Sequence, residues 1–258
     1  MSDGFVCYQS YGNGVVKNSQ ICCDGVTVIG GPNGCGKSTV LKDAAVGTPL
    51  SFQYRPQFAP LWPYFFHANR KRSKGRKSKS LQGVLNEFEK TLGGRFVFNF
   101  ENRGVYFTSN KNGETTHVGD EFSAGLLALG WLQLHCEHKC WERPAGNVVT
   151  IDSPETFLSP LLTVEYARLL LLINFATGTR FLVASHSCDF FAAIRRIAER
   201  WDKLDRVRFY LGKEDEADGR FQFEEQLGND ACPKDDNVFF KSACDAINAI
   251  AFYSGDLY

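Results

Sequence analysis

The stretch "GVTVIGGPNGCGKSTV", residues 25–40, decides the fold. Its first half is a short β-branched run that reads as a buried strand. It runs straight into Gly31, Pro32, Asn33, Gly34, Cys35, Gly36, Lys37, Ser38 and Thr39. Gly31, Gly36, Lys37 and Ser38 satisfy the pattern G-x-x-x-x-G-K-[ST]. Glycines at those places let backbone N–H groups curl around phosphate oxygens that larger side chains would obstruct. A helix is expected from Lys37 to about Val46, and its N-terminus adds positive potential. Lys37 is then placed to reach β and γ phosphates, and the Ser38 hydroxyl to ligate magnesium. Strand before and helix after are the context this chemistry requires. The implied ligands are a purine nucleotide, ATP, and Mg2+.

A second strand answers the first. In "VVTIDSPETFLSP" (148–160), Val148 to Ile151 read as buried strand and Asp152 ends it. A carboxylate there holds the magnesium shell opposite Ser38. Ser153 follows, where many such ATPases carry a glutamate that positions water. A hydroxyl is a poor base at neutral pH, and general-base or water-positioning groups contribute on the order of 10²–10⁴ in rate. Slow hydrolysis and a long-lived ATP-bound state are therefore expected. The alternative is that Glu155, two residues on, substitutes.

Two more segments fit a phosphate site. In "FSAG" (122–125), Ser123 and Gly125 stand at the mouth of a helix, where a hydroxyl and an amide can grip a γ-phosphate; a plain capping serine is the alternative. "LVASH" (182–186) ends a strand in His186, whose neutral imidazole can hydrogen-bond a γ-phosphate or water. The order "GPNGCGKST", "FSAG", "TIDSPETFLSP", "LVASH" resembles the ABC-type ATPase fold. "IDSPETFLSP" is similar to the "DEPE-x-x-L-H-P" segment of its non-transporter branch: SMC-like, DNA-repair and overcoming-lysogenization-defect type ATPases, common in bacterial phage-defence operons. The resemblance covers about residues 3–200. It implies an α/β, P-loop NTPase, ABC-ATPase-like fold with a mixed central sheet, an N-terminal antiparallel β part and a small helical lobe. It also implies two subunits sandwiching two ATP molecules, with Ser123 and Gly125 facing the other subunit's Gly31–Thr39 and Asp152. His186 becomes the switch histidine, and Gln57 the magnesium-sensing glutamine, with Gln53 its rival. Ser153, Ser159 in place of the motif's histidine, and Leu126 after the signature glycine depart from the pattern.

The rest of the chain bounds the reading. At 258 residues, 43% hydrophobic and formally neutral, it suits one domain, 1–258, with no global bias toward nucleic acid or acidic membranes. Nine cysteines without a CxxC pair suit reduced thiols. No signal peptide is evident, and "ARLLLLINFA" is short for a span and carries Arg168, so a cytoplasmic protein without a membrane partner is expected. Residues 4–9 and 14–17 around "YGNG" predict an opening hairpin, in which Tyr8 or Tyr11 could stack on adenine. An insertion at about 67–122 begins with Arg70, Lys71, Arg72, Lys74, Arg76, Lys77 and Lys79, a local patch for DNA or RNA phosphates, or else a solvated loop or a docking site for an acidic partner. Ser80 is expected to cap a helix burying Leu81, Val84, Leu85, Phe88 and Leu92, and 93–118 to form an antiparallel meander. Helices are expected at 123–138, 160–178, 188–200 and 236–252, the last in a C-terminal extension from about 201. In that extension the acidic loop 213–218 could meet the basic run of a neighbour. "HCEHKC" (135–140) packs four potential ligands too closely to converge on one ion. There is no coiled-coil arm, so a bare head working through an effector such as a nuclease, in a defence or DNA-maintenance complex, is the leading expectation. A nucleotide-gated scaffold with negligible turnover and a transporter's ATPase subunit are the alternatives.

Overall fold

The computed structural model of the chain describes residues 7–9, 14–46, 79–99, 101–102, 104–119, 122–138 and 148–226. Gln53, Gln57, Tyr11, the basic residues 70–77 and the expected helix at 236–252 lie outside them, as does Tyr8 beyond its backbone.

Five strands make the central sheet, in the order β10-β9-β3-β8-β7: β3 (Val26–Gly30), β7 (Val148–Asp152), β8 (Arg180–Ala184), β9 (Val207–Glu214) and β10 (Phe221–Glu225). β3 pairs in parallel with β8 and β9, β7 in parallel with β8, and β10 closes the edge antiparallel to β9. The sheet is therefore mixed, with the parallel core of a P-loop NTPase fold. A strand's side chains alternate between faces. Val26, Val28, Val149, Ile151, Phe181, Val183 and Phe209 enter one apolar cluster, and Ile29, Val148, Leu182, Ala184 and Tyr210 enter another. Both faces are covered, which is why these strands read as continuous hydrophobic runs rather than polar-apolar alternation.

The first face is covered by helices α4 (Pro160–Thr177) and α5 (Cys188–Arg200), with α2 (Lys79–Leu92) and α3 (Ala124–Glu137) beyond. The second is covered by α1 (Lys37–Val46) through Val40 and Leu41, with Val16 and Ile21. α4 has its expected ends: Ser159 as N-cap, Pro160 at the first position, and Gly178 left-handed at φ 69°. This 18-residue helix, mean hydropathy 1.2, extends beyond the apolar run that marked it and is long and apolar enough to cross a membrane; here half of it is buried inside the fold.

A small antiparallel sheet, β4 (Gly94–Asn99), β5 (Gly104–Ser109) and β6 (Thr115–His117), forms the expected meander. Its Phe96 and Phe107, with rings 5.1 Å apart, pack against Phe122 just ahead of α3 and join the core cluster shared with α2 and α3.

Two local expectations are corrected. Ser80 does not cap α2, which already begins at Lys79; its hydroxyl reaches the Ala176 carbonyl at 3.4 Å. The opening strand β1 (Cys7–Gln9) pairs with β2 (Gln20–Cys22), not with 14–17. Val16 bridges in parallel to Phe221 instead, with Lys17 N–H donating to the Phe221 carbonyl at 2.7 Å. That distant pairing buries Val16 beneath the glycine loop, a gain a local hairpin could not give.

Candidate functional site

The site lies where the parallel strands end. β3 delivers the loop, β7 delivers Asp152, and β8 delivers His186 just past its end. Backbone hydrogen bonds lock the three together: Ser185 N–H donates to Ile29 at 3.0 Å and Ser153 N–H to Ala184 at 2.8 Å. Ligands bind outside the carboxyl ends of strands in such sheets.

Gly31, Gly34 and Gly36 take φ of 139°, 85° and 90°, a region that excludes ordinary side chains. A Cβ on Gly36 would also overlap Val16, so the loop's curl is fixed by glycine and by the packing beneath it. Pro32, Asn33, Gly34, Ser38 and Thr39 are exposed, whereas Cys35 and Lys37 are buried. The Cys35 side chain thus belongs to the core under the loop. Lys37 Nζ donates to the carbonyls of Gly31 at 2.9 Å and Pro32 at 3.0 Å. Its ammonium sits in the middle of the curled loop.

Ser38 Oγ donates to Asp152 Oδ2 at 2.8 Å, and Ser153 Oγ to Asp152 Oδ1 at 3.1 Å. The two expected magnesium ligands are therefore adjacent. A hydroxyl and a carboxylate are hard oxygen donors of the kind magnesium takes alongside phosphate oxygens. The residues present fit a Mg-nucleotide.

Ser153 is left-handed at φ 50° and ψ 57°, and precedes a short 3-10 turn, Pro154–Phe157, without a side-chain capping bond. The turn carries Glu155, whose Oε1 accepts the His186 N–H at 2.8 Å. Glu155 Oε2 is buried and has no hydrogen-bond partner among the described residues. The His186 imidazole is held below the ordinary histidine value, first by burial and then by the Lys37 charge, while Glu155 and Asp152 pull it back. Lys37, Asp152, Glu155 and His186 therefore share one electrostatic neighbourhood.

Ser123 and Gly125 stand elsewhere. Ser123 caps α3 by accepting the Leu126 N–H at 3.3 Å, and a Cβ on Gly125 would lie 3.0 Å from the Phe157 carbonyl. Of the basic run only Lys79 is described, exposed at the start of α2. Among the described residues no cluster could hold a metal through His, Cys, Asp and Glu alone, and in "HCEHKC" the described part is built into the fold. His135 is buried, with Nδ1–H donating to the Trp131 carbonyl at 2.8 Å, and His138 ends the helix. Part of the acidic loop is occupied within its own chain, where Asp215 and Asp218 hold Lys17, and Asp218 holds Arg220.

Sequence reasoning missed Ser185. It is buried, and its hydroxyl accepts the Ser187 N–H at 3.0 Å, which shapes the turn presenting His186. A small polar residue between a buried strand and a histidine was the available signal.

No family model matches the chain, and no curated protein does. Among solved structures it is similar to the SMC head domain from Thermotoga maritima, at 15% identity and TM-score 0.47, over 84% of this chain and 97% of that one. A second is an SMC head bound to the C-terminal winged-helix domain of ScpA, at 12% and 0.47, over 89% and 97%. A third is the RNase-L inhibitor, at 17% and 0.41, over 86% of this chain and 43% of that one.

Proposed function

We propose that this chain binds and hydrolyses ATP as an ABC-type subunit, and that a second copy completes each site. One observation carries the reading: Ser38 and Asp152, far apart in sequence, meet at 2.8 Å beside a buried Lys37 on a glycine loop. A magnesium ion would take both oxygens, and a phosphate would draw Lys37 off the Gly31 and Pro32 carbonyls. Asp152 and Ser38 then hold magnesium, Lys37 and the loop amides hold phosphate, and His186 contacts the γ-phosphate.

The second copy is supported by Ser123, exposed at the mouth of α3, and by the neighbouring turn, whose Phe157 is 46% exposed. An effector such as a nuclease, contact with DNA or RNA through residues 70–79, and a defence or DNA-maintenance setting rest on the motif order and the basic run. A nucleotide-gated scaffold is the second reading, favoured by Ser153 in the glutamate's place.

The test is steady-state ATP turnover by the purified chain across a range of protein concentrations, with and without DNA or RNA. Turnover that vanishes in Lys37→Ala, rises per molecule with concentration and falls in Ser123→Arg is expected. Tight ATP binding without turnover would establish the scaffold instead. No ATP binding would end both readings.

A further inference from the structure

Ser153 is poorly built to act on water. Its hydroxyl proton is spent on Asp152 Oδ1, its amide on the Ala184 carbonyl, and its backbone is in the left-handed region that non-glycine residues rarely adopt. The consequence of that conformation lies two residues on. The chain reverses at Ser153, Pro154 opens the 3-10 turn, and Glu155 comes back toward the strand ends. There Oε1 is anchored by the His186 N–H at 2.8 Å. Oε2 is buried with no donor among the described residues.

Glu155 is half-buried, but an oxygen shielded from solvent without a donor is costly, and each such atom in a folded protein calls for an explanation. Structural carboxylates in this chain look different. Asp24 has both oxygens on Arg208, and Glu87 lies between Lys90 and Arg168. Glu155 keeps one oxygen fixed and one in reserve, beside the imidazole that also feels Lys37 and Asp152.

We propose that Glu155 is the catalytic carboxylate of this site: Oε2 accepts a hydrogen bond from the attacking water and takes its proton. This rests on the ATPase reading above. In the step, the water oxygen forms a bond to the γ-phosphorus and the bond from that phosphorus to the β–γ bridging oxygen breaks. The electron pair of that bond leaves with ADP. The water's proton passes to Glu155 Oε2 and then to solvent, leaving ADP and inorganic phosphate. Anchoring Oε1 on the His186 amide makes the placement depend on the β8–α5 turn, so the turn that contacts the γ-phosphate also aims the base. The left-handed Ser153 is the hinge that moves this role from residue 153 to residue 155.

The test compares the full chain with Glu155→Gln, Glu155→Asp and Glu155→Gln combined with Ser153→Glu. Turnover in Glu155→Gln should fall on the order of 10²–10⁴-fold. Binding of a fluorescent ATP analogue should be unchanged, and nucleotide recovered after gel filtration with Mg-ATP should be ATP, where the parent yields ADP. Adding Ser153→Glu should restore nothing. Glu155→Asp keeps the charge, shortens the reach and should also lose turnover, which separates placement from folding. Parent-like turnover in either single variant, or rescue by Ser153→Glu, overturns the proposal and leaves the ATPase reading standing. A parent without turnover, or one indifferent to Lys37→Ala, overturns that reading and this proposal with it.

Discussion

At the scale of single residues, the site is made by a few positions where backbone conformation decides what a side chain can do. Ser153 holds φ 50° without glycine's freedom, and its hydroxyl stays on Asp152. Asn and Asp tolerate this region, whereas a β-branched side chain is an outlier in it. Ser153→Asn should therefore leave stability near the parent's. Ser153→Val should lose about 1–2 kcal/mol, because it forfeits the hydroxyl bond to the Asp152 carboxylate and adds a β-branched side chain to a left-handed backbone. Urea midpoints of the two variants check this; a Val variant as stable as the Asn one would mean the turn relaxes to another conformation. Gly36 is stricter still, because its positive φ and the Val16 side chain beneath it each exclude a Cβ.

At the scale of elements, α3 is tied to the meander by the Arg95–Glu137 ion pair and, deeper, by a two-point bond from Gln133. Phe96 on edge strand β4 turns its amide and carbonyl away from β5, and Gln133 serves both: Oε1 accepts the Phe96 N–H at 3.0 Å and Nε2 donates to its carbonyl at 2.9 Å. Gln133 stands in for a missing strand partner in a buried place. Gln133→Ala would leave both groups without a donor or acceptor, at about 1–3 kcal/mol each. A loss of about 2–6 kcal/mol in unfolding free energy is expected by denaturant titration; a loss under about 1 kcal/mol would mean water replaces the amide. Nothing in "ALGWLQLHCE" announces this, because a glutamine among leucines carries no periodic signal and its partner lies in another element. The helix faces were legible: Leu81, Val84, Leu85, Phe88 and Leu92 all bury as their spacing requires. So was the meeting of Ser38, after the glycine loop, with Asp152 at the end of β7. The opening hairpin was not, because "YGNG" reads as a local turn while the pairing of Val15 and Val16 lies at Phe221, at the other end of the described chain. Periodicity identifies a strand's faces, not its partner. The same limit left Glu155 and Ser153 undecided, since the left-handed turn that brings the Glu155 carboxylate onto the His186 amide carries no periodic signal.

At the scale of the whole molecule, one sheet with both faces covered makes the site's rigidity depend on the helical side as well as on the loop. α3 carries the exposed Ser123 at one end and, deep in its body, His135. Burial pushes the His135 imidazole down to about 4, with the neighbouring His138 charge adding slightly and the hydrogen bond to Trp131 opposing. The folded value is depressed below the unfolded value of 6.5, so between them the unfolded chain binds a proton that the folded chain refuses. Stability contributed by neutral His135 is complete above about pH 6.5, falls as the pH drops toward 4, and is fully lost below it. The ceiling is about 3 kcal/mol, a large share of the roughly 5–15 kcal/mol that holds most domains together. His135→Gln keeps a donor for the Trp131 carbonyl and cannot titrate. Unfolding free energies measured from pH 7 down to 4 should therefore fall more steeply for the parent than for His135→Gln, the two curves converging or crossing as the acid penalty on His135 grows. Parallel curves would mean the imidazole is hydrated and protonates in the folded state. The acid-sensitive group lies in the helix that starts at Ser123, so partial protonation should loosen the surface proposed to meet a second copy before the β3–α1 loop is lost. Measured in the same samples, the concentration dependence of turnover should fail at a higher pH than ATP binding does.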